Sequence, residues 1–215
     1  MKTCIHLTKA GKICSRSVHY KDRCIQHYKL HFSQYATEET REIKFQELID
    51  TKNDYTHLEY IPYFSNLTIE YYRQKYIDIV VNYKFMFNEN IISDLNNANS
   101  PEIMFNTVRD DISSWIRELK KTKGITKDTD LDLFTNIKYK QCVLQILKIS
   151  IYYCIQENKL SIFRVIPLYN NLKGALIRNK ELWREENINK LRIKEVSKSG
   201  VMCDDVFKYV FAGYI

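Results

Sequence analysis

Four side chains near the start of the chain, Cys4, Cys14, Cys24 and His27, have the types and the spacing to hold one metal ion. They fall in the order Cys-x9-Cys-x9-Cys-x2-His. Thiolate and imidazole are the donors Zn2+ prefers, taken four at a time in a tetrahedron. Cys24 and His27 stand three residues apart, so one helical turn puts both on the same face. The two nine-residue loops can return the other thiolates to that point, and Gly11 in Lys9-Ala10-Gly11-Lys12 supplies a turn ahead of Cys14. His6, His19 and His31 are further imidazoles within reach. His27 is the fourth ligand of choice because its pairing with Cys24 needs no long loop closure. Four protein ligands leave no open position for water, so the expected site is structural and not catalytic.

The same stretch is strongly basic. Residues 1–30 hold seven Lys and Arg against Asp22 alone, a formal +6, whereas the whole chain is +7 and residues 31–215 carry only +1. Three thiolates and one Zn2+ sum to −1, which leaves a loaded module near +5. So short a segment cannot bury enough apolar surface to fold alone. Metal binding would supply the missing free energy, on the order of 10–16 kcal/mol in zinc-finger peptides. Lys9, Lys12, Arg16, Lys21 and Arg23 are the residues expected to meet phosphates, with His19 available to a base or sugar. Nucleic acid is therefore the expected partner of the module, and a protein is the expected partner of the rest. The alternative is a protein-interaction or structural adaptor, in which the zinc knuckle caps a helical domain and its charge meets an acidic protein surface.

The ligand pattern, with Thr8, Gly11-Lys12 and Cys14-Ser15-Arg16 between its members, resembles the three-Cys-one-His zinc motif of the plant WRC domain. It is similar as well to the potential DNA-binding zinc motif in subunits of chromatin-remodelling and acetyltransferase complexes, and to short modules in proteins of large DNA viruses. The resemblance covers about residues 3–29. It maps the ligands onto Cys4, Cys14, Cys24 and His27, and it implies zinc binding with a proposed DNA-binding role. The Trp-Arg pair that gives WRC its name is absent; Lys12-Ile13 stands before Cys14.

The elements that must position this site and continue from it read as helices. Gly (5) and Pro (3) are sparse for 215 residues and hydrophobic residues make up 45%, a composition that favours long helices with a sizeable core. The expected fold is mainly α: a zinc-binding module over residues 1–33, then an irregular multi-helix bundle over 38–215. A short helix over 24–32 closes the module. Thr37 caps a helix to about Asp50, Pro62 breaks the segment after it, and a Tyr- and Ile-rich helix runs from about Thr68 to Phe87. The strongest signal is Ser100-Pro101, followed by Met104, Val108, Ile112, Trp115, Ile116 and Leu119 at helical spacing, three lysines, and Gly124 as the stop. Residues 130–157 form a central apolar helix, with a β-strand over Ile149–Ile155 as the alternative. Helices over 159–176, broken or kinked at Pro167, then 178–196 and 203–213 complete the chain.

Other functions find no support in the sequence. Cys142 and Cys154 fall on the apolar helix as core residues. Arg178, Lys180 and Arg184 alternate with Glu181, Glu185 and Glu186, as on an exposed helix with internal ion pairs. No Walker A loop, Rossmann glycine pattern, HExxH or GxSxG occurs, so an enzyme is not expected. The start of the chain lacks the apolar run of a secretory signal, and Cys142–Ile155 is too short and too polar to cross a bilayer. A soluble intracellular protein with reduced cysteines is expected, in a nucleus or at a viral replication site.

Overall fold

The computed structural model describes residues 3–8, 10–18, 23–33, 36–51, 59–126 and 131–198. The helix expected over 203–213 lies outside the described residues. Those described form eight α-helices: α1 (Ile25–Ser33), α2 (Glu38–Asp50), α3 (Ile61–Phe64), α4 (Ile69–Asn82), α5 (Ile91–Asn97), α6 (Pro101–Lys123), α7 (Leu133–Gln156) and α8 (Ile162–Lys198). A 3-10 turn over Lys84–Met86 follows α4. The chain is mainly α, as its composition implies. None of the helices among the described residues is long and apolar enough to cross a membrane.

Local chemistry sets the helix starts. Thr37, Thr68, Ser100 and Asp132 each accept a hydrogen bond from the backbone N–H three residues on, at 3.2, 3.2, 3.3 and 2.9 Å. Each cap satisfies a donor that the first helical turn leaves unpaired. Gly124 closes α6 with φ +66°, a conformation glycine adopts without steric cost.

The core lies where α7 meets its neighbours. Helix α7 packs against α3, α4, α6 and α8, and Cys142, Ile151 and Ile155 on it are completely buried. Phe45 of α2, Phe64 of α3, Tyr72 and Tyr76 of α4, Leu95 of α5, Met104 and Val108 of α6, and Ile162 and Ile166 of α8 complete one continuous cluster. Polar groups inside it are paired. The Tyr72 hydroxyl donates to Gln156 Oε1 at 2.7 Å, while Gln156 Nε2 donates to the Leu67 carbonyl at 3.1 Å. This exchange ties α7 to α4 at its C-terminal end.

Ile149–Ile155 is helical, as expected in preference to the strand, because α7 is enclosed on most sides and its β-branched residues are core residues there. Three expectations need correction. Pro62 opens α3 instead of preventing a helix, since the first turn needs no N–H from it. Helix α5 was not expected, and it separates the 3-10 turn from α6. The helices expected over 159–176 and 178–196 are one: α8 runs continuously through Pro167. Proline in a helix interior costs about 3 kcal/mol. Ile162 and Ile166, both fully buried, hold the turns around Pro167 against the core and offset that cost.

Candidate metal centre

Two structures built from short-range interactions bring the four ligands together. The first is a small hairpin. Cys4 N–H donates to the Arg16 carbonyl at 3.0 Å, Cys14 N–H to His6 at 2.9 Å and Thr8 N–H to Lys12 at 2.8 Å. Gly11, at φ +73°, makes the turn and donates to the Thr8 carbonyl at 2.9 Å. Residue types alternate across such a ladder. Cys4, His6, Lys12, Cys14 and Arg16 therefore share one face, and Ile5, Leu7 and Ile13 take the other, where they are 59–66% exposed. The second structure is the start of α1. The Cys24 carbonyl accepts from Tyr28 N–H at 2.9 Å, which makes Cys24 the residue at the helix mouth and sets His27 one turn further on.

The ligand atoms of Cys4, Cys14, Cys24 and His27 all lie within 4.8 Å of one another. The Cys4 Sγ–His27 Nδ1 and Cys24 Sγ–His27 Nδ1 separations are 3.4 and 3.3 Å. Around a tetrahedral Zn2+, bond lengths of about 2.3 Å to sulfur and 2.0–2.1 Å to nitrogen give S···N edges of about 3.5 Å and S···S edges of about 3.8 Å. The observed spacings match such a polyhedron to within a side-chain adjustment. The three cysteines are buried, with 0, 6 and 2% exposure for Cys4, Cys14 and Cys24, and they form an apolar cluster of their own. All three are free thiols. Three soft sulfurs and one imidazole, with no carboxylate among them, suit Zn2+ and not Mg2+ or Ca2+. The set is compatible with zinc binding.

The environment separates the thiols. Desolvation raises the Cys4 value, but hydrogen bonds from the backbone N–H groups of Cys24 and His6 and from the side chains of His27 and Cys24 outweigh it and bring Cys4 down to about 6. For Cys14 the backbone N–H of Arg16 favours the thiolate. Desolvation and the neighbouring sulfurs of Cys24 and Cys4 oppose it more strongly, so that thiol is raised. Cys4 is thus the thiolate formed most readily before a metal arrives.

One of the further imidazoles, His6, also borders the site. His6 is half-buried and stacks on His27 with ring centroids 3.8 Å apart and planes inclined by 24°. That contact fixes the plane of the His27 imidazole. The hairpin register carries the signal, because His6 lies opposite Cys14 on the ligand face. Helix α1 then joins the module to the bundle by packing on α3. Tyr28 is 2% exposed, and its hydroxyl donates to the Glu59 carbonyl at 3.1 Å.

Of the residues expected to meet nucleic acid, Lys12 and Arg16 are exposed on either side of Cys14 along the hairpin, and Arg23 is half-buried beside Cys24. Lys9, His19 and Lys21 lie outside the described residues. The chain matches no protein-family model, and neither curated protein sequences nor solved structures contain a significant match to it.

Proposed function

We propose that Cys4, Cys14, Cys24 and His27 hold a structural Zn2+ and that the loaded module contacts nucleic acid through its basic side chains. The observation that carries the zinc reading is the convergence of three thiols and one imidazole within 4.8 Å in a segment whose described residues form no other apolar cluster. The likeness to the WRC and chromatin-complex motif supports the same ligand set and the nucleic-acid role. All four positions around the ion are filled by protein, so the site folds the module and does no catalysis. Lys12 and Arg16 flank the site on the hairpin, and Lys9, Lys21 and Arg23 add charge close by in the sequence. Such side chains neutralise phosphates and release counterions without reading sequence.

The test uses the full chain. Purified protein contains one zinc per chain by elemental analysis, and Cys14→Ser lowers that content severalfold. Binding to an unrelated DNA duplex, followed by fluorescence anisotropy, weakens with salt at a log–log slope of roughly −3 to −4 for about four phosphates. Lys12→Ala/Arg16→Ala makes the slope shallower by about 2. A stoichiometric zinc content with no duplex binding at low salt removes the nucleic-acid role and leaves the metal site standing.

One observation favours the second reading, a cap on the bundle. Tyr28 anchors α1 on α3 and reaches the Glu59 carbonyl, so the module is attached through a buried contact and not only by its chain connection. In that case chelation of the metal lowers the melting temperature of the helical bundle by several degrees, and an acidic protein surface displaces no nucleic acid.

A further inference from the structure

The charge of the bundle is segregated. Residues 133–198 hold 13 Lys and Arg against 5 Asp and Glu, a net +8, whereas residues 31–132 carry −6. The net +1 of residues 31–215 conceals both. The positive half is built from α7 and α8, which lie against each other. Near the N-terminal end of α7 they leave an open cleft of about 260 Å3. Its walls are Phe134, Lys138 and Gln141 from α7 and Lys180, Trp183 and Arg184 from α8, with Ile137 between them. The spacing explains the lining: 134, 138 and 141 share one face of α7, and 180, 183 and 184 share one face of α8.

We propose that this cleft binds single-stranded nucleic acid. Three cations line it and no carboxylate does. Among the described residues no ion pair engages Lys138, Lys180 or Arg184, and none joins Arg178, Lys180 and Arg184 to Glu181, Glu185 and Glu186, so the paired surface expected from their alternation is not formed. Two aromatic rings stand open beside the charges, Phe134 at 54% and Trp183 at 43% exposure. Lys138 Nζ sits 5.6 Å from the Phe134 ring centroid, a cation held over an aromatic face. A backbone-tracking charge combined with an aromatic stacking platform is how single strands are bound without sequence preference. A duplex would present no unstacked base to Trp183, and an acidic peptide would gain nothing from the open rings. Gln141 offers an amide to the edge of a base stacked there. None of these residues belongs to the N-terminal module, so the inference does not rest on the zinc reading.

Trp183 reports on the site directly. The chain has only two tryptophans, and Trp115 is packed between Phe85 and Tyr139. Trp115→Phe therefore makes Trp183 the sole indole while keeping a ring at position 115. Full-length W115F protein is titrated with an oligothymidylate and with an oligouridylate. The expected result is quenching of Trp183 fluorescence, with a log–log salt slope of roughly −2 for three cations on a single strand. Lys180→Gln/Arg184→Gln weakens binding about tenfold or more and leaves the thermal melt unchanged. In anisotropy with a labelled strand, Trp183→Ala weakens binding roughly 5- to 150-fold. Lys12→Ala/Arg16→Ala and metal chelation leave the quench in place, which separates this cleft from the N-terminal module. Absence of quenching at low salt overturns the proposal. So does a polyglutamate peptide that binds W115F protein as tightly as the oligonucleotides, since that result assigns the cleft to an acidic protein.

Discussion

Thiol chemistry differs sharply between the N-terminal module and the core of the bundle. Burial pushes the Cys142 thiol up to about 12 in the core of α7, whereas local hydrogen bonds bring Cys4 down to about 6. In the zinc-loaded chain all three N-terminal sulfurs would be protected by the metal. We expect chelation to make three additional thiols reactive to a chromogenic disulfide, those of Cys4, Cys14 and Cys24, while Cys142 and Cys154 stay silent until denaturant is added. Protons compete with the metal for the same sulfurs. Zinc affinity should weaken as pH falls from 8, because Cys14 must lose its proton, and fall more steeply below about 6, where Cys4 is protonated too. A competition titration with a chromophoric chelator across that range measures it. Glu38 gives a separate acid-limb effect. Desolvation raises its carboxyl, but the hydrogen bond and charge of Lys75, with the Tyr71 hydroxyl and Arg41, outweigh that and lower it. A carboxylate lowered in the folded state contributes stability above its unfolded value and loses it as pH drops through the folded value. The melting temperature of Glu38→Gln should therefore vary less than that of the parent at acid pH. The grouping of Cys4, Cys14, Cys24 and His27 was legible in the sequence, since the donor types and their intervals point to it. The His6–His27 stack was not, because it depends on which hairpin residues oppose one another.

Among the elements, capped helices were the most legible. Ser100, Pro101 and Gly124 bracket α6 to the residue, and the apolar period between them gives its buried face, Met104, Val108 and Ile112. Ser100→Ala should cost about 1 kcal/mol by removing the acceptor for the Ile103 N–H, read as a lower denaturation midpoint. The short helices escaped because seven residues hold only two buried apolar positions in α5, Ile91 and Leu95, too few to define a period. What fixes α5 is tertiary: Arg73 donates to the carbonyls of Leu95 and Ala98 at 3.3 and 3.1 Å. Pro167 misled for the opposite reason. A local rule places a break there, and burial of Ile162 and Ile166 overrides it.

Across the whole molecule, the module and the bundle have separate cores: the cysteine cluster is not continuous with the large apolar cluster. Chelation should therefore remove the ellipticity of α1 and leave a cooperative melt of α2–α8, unless the module is the cap envisaged above. The separation of charge along the chain adds a second property of the whole. A negative middle, −6 over residues 31–132, stands between a basic N-terminal segment and a basic α7–α8 pair. Both positive regions are thus set apart by sequence, each able to draw a polyanion at low ionic strength.

Helix α8 has one further consequence. At about 1.5 Å per residue its 37 residues span roughly 55 Å, against about 36 Å for the 24 residues of α7. Among the residues whose burial is described, its last buried one is Leu176, and Ile188, Leu191 and Ile193 are 43–61% exposed. Among the described residues, the distal turns are a cantilever, supported at the root and by their own ladder of hydrogen bonds. Amide exchange should grade from global protection near Ile166 to the rate of a lone peptide helix past Arg184, tracing where neighbours stop sharing the load.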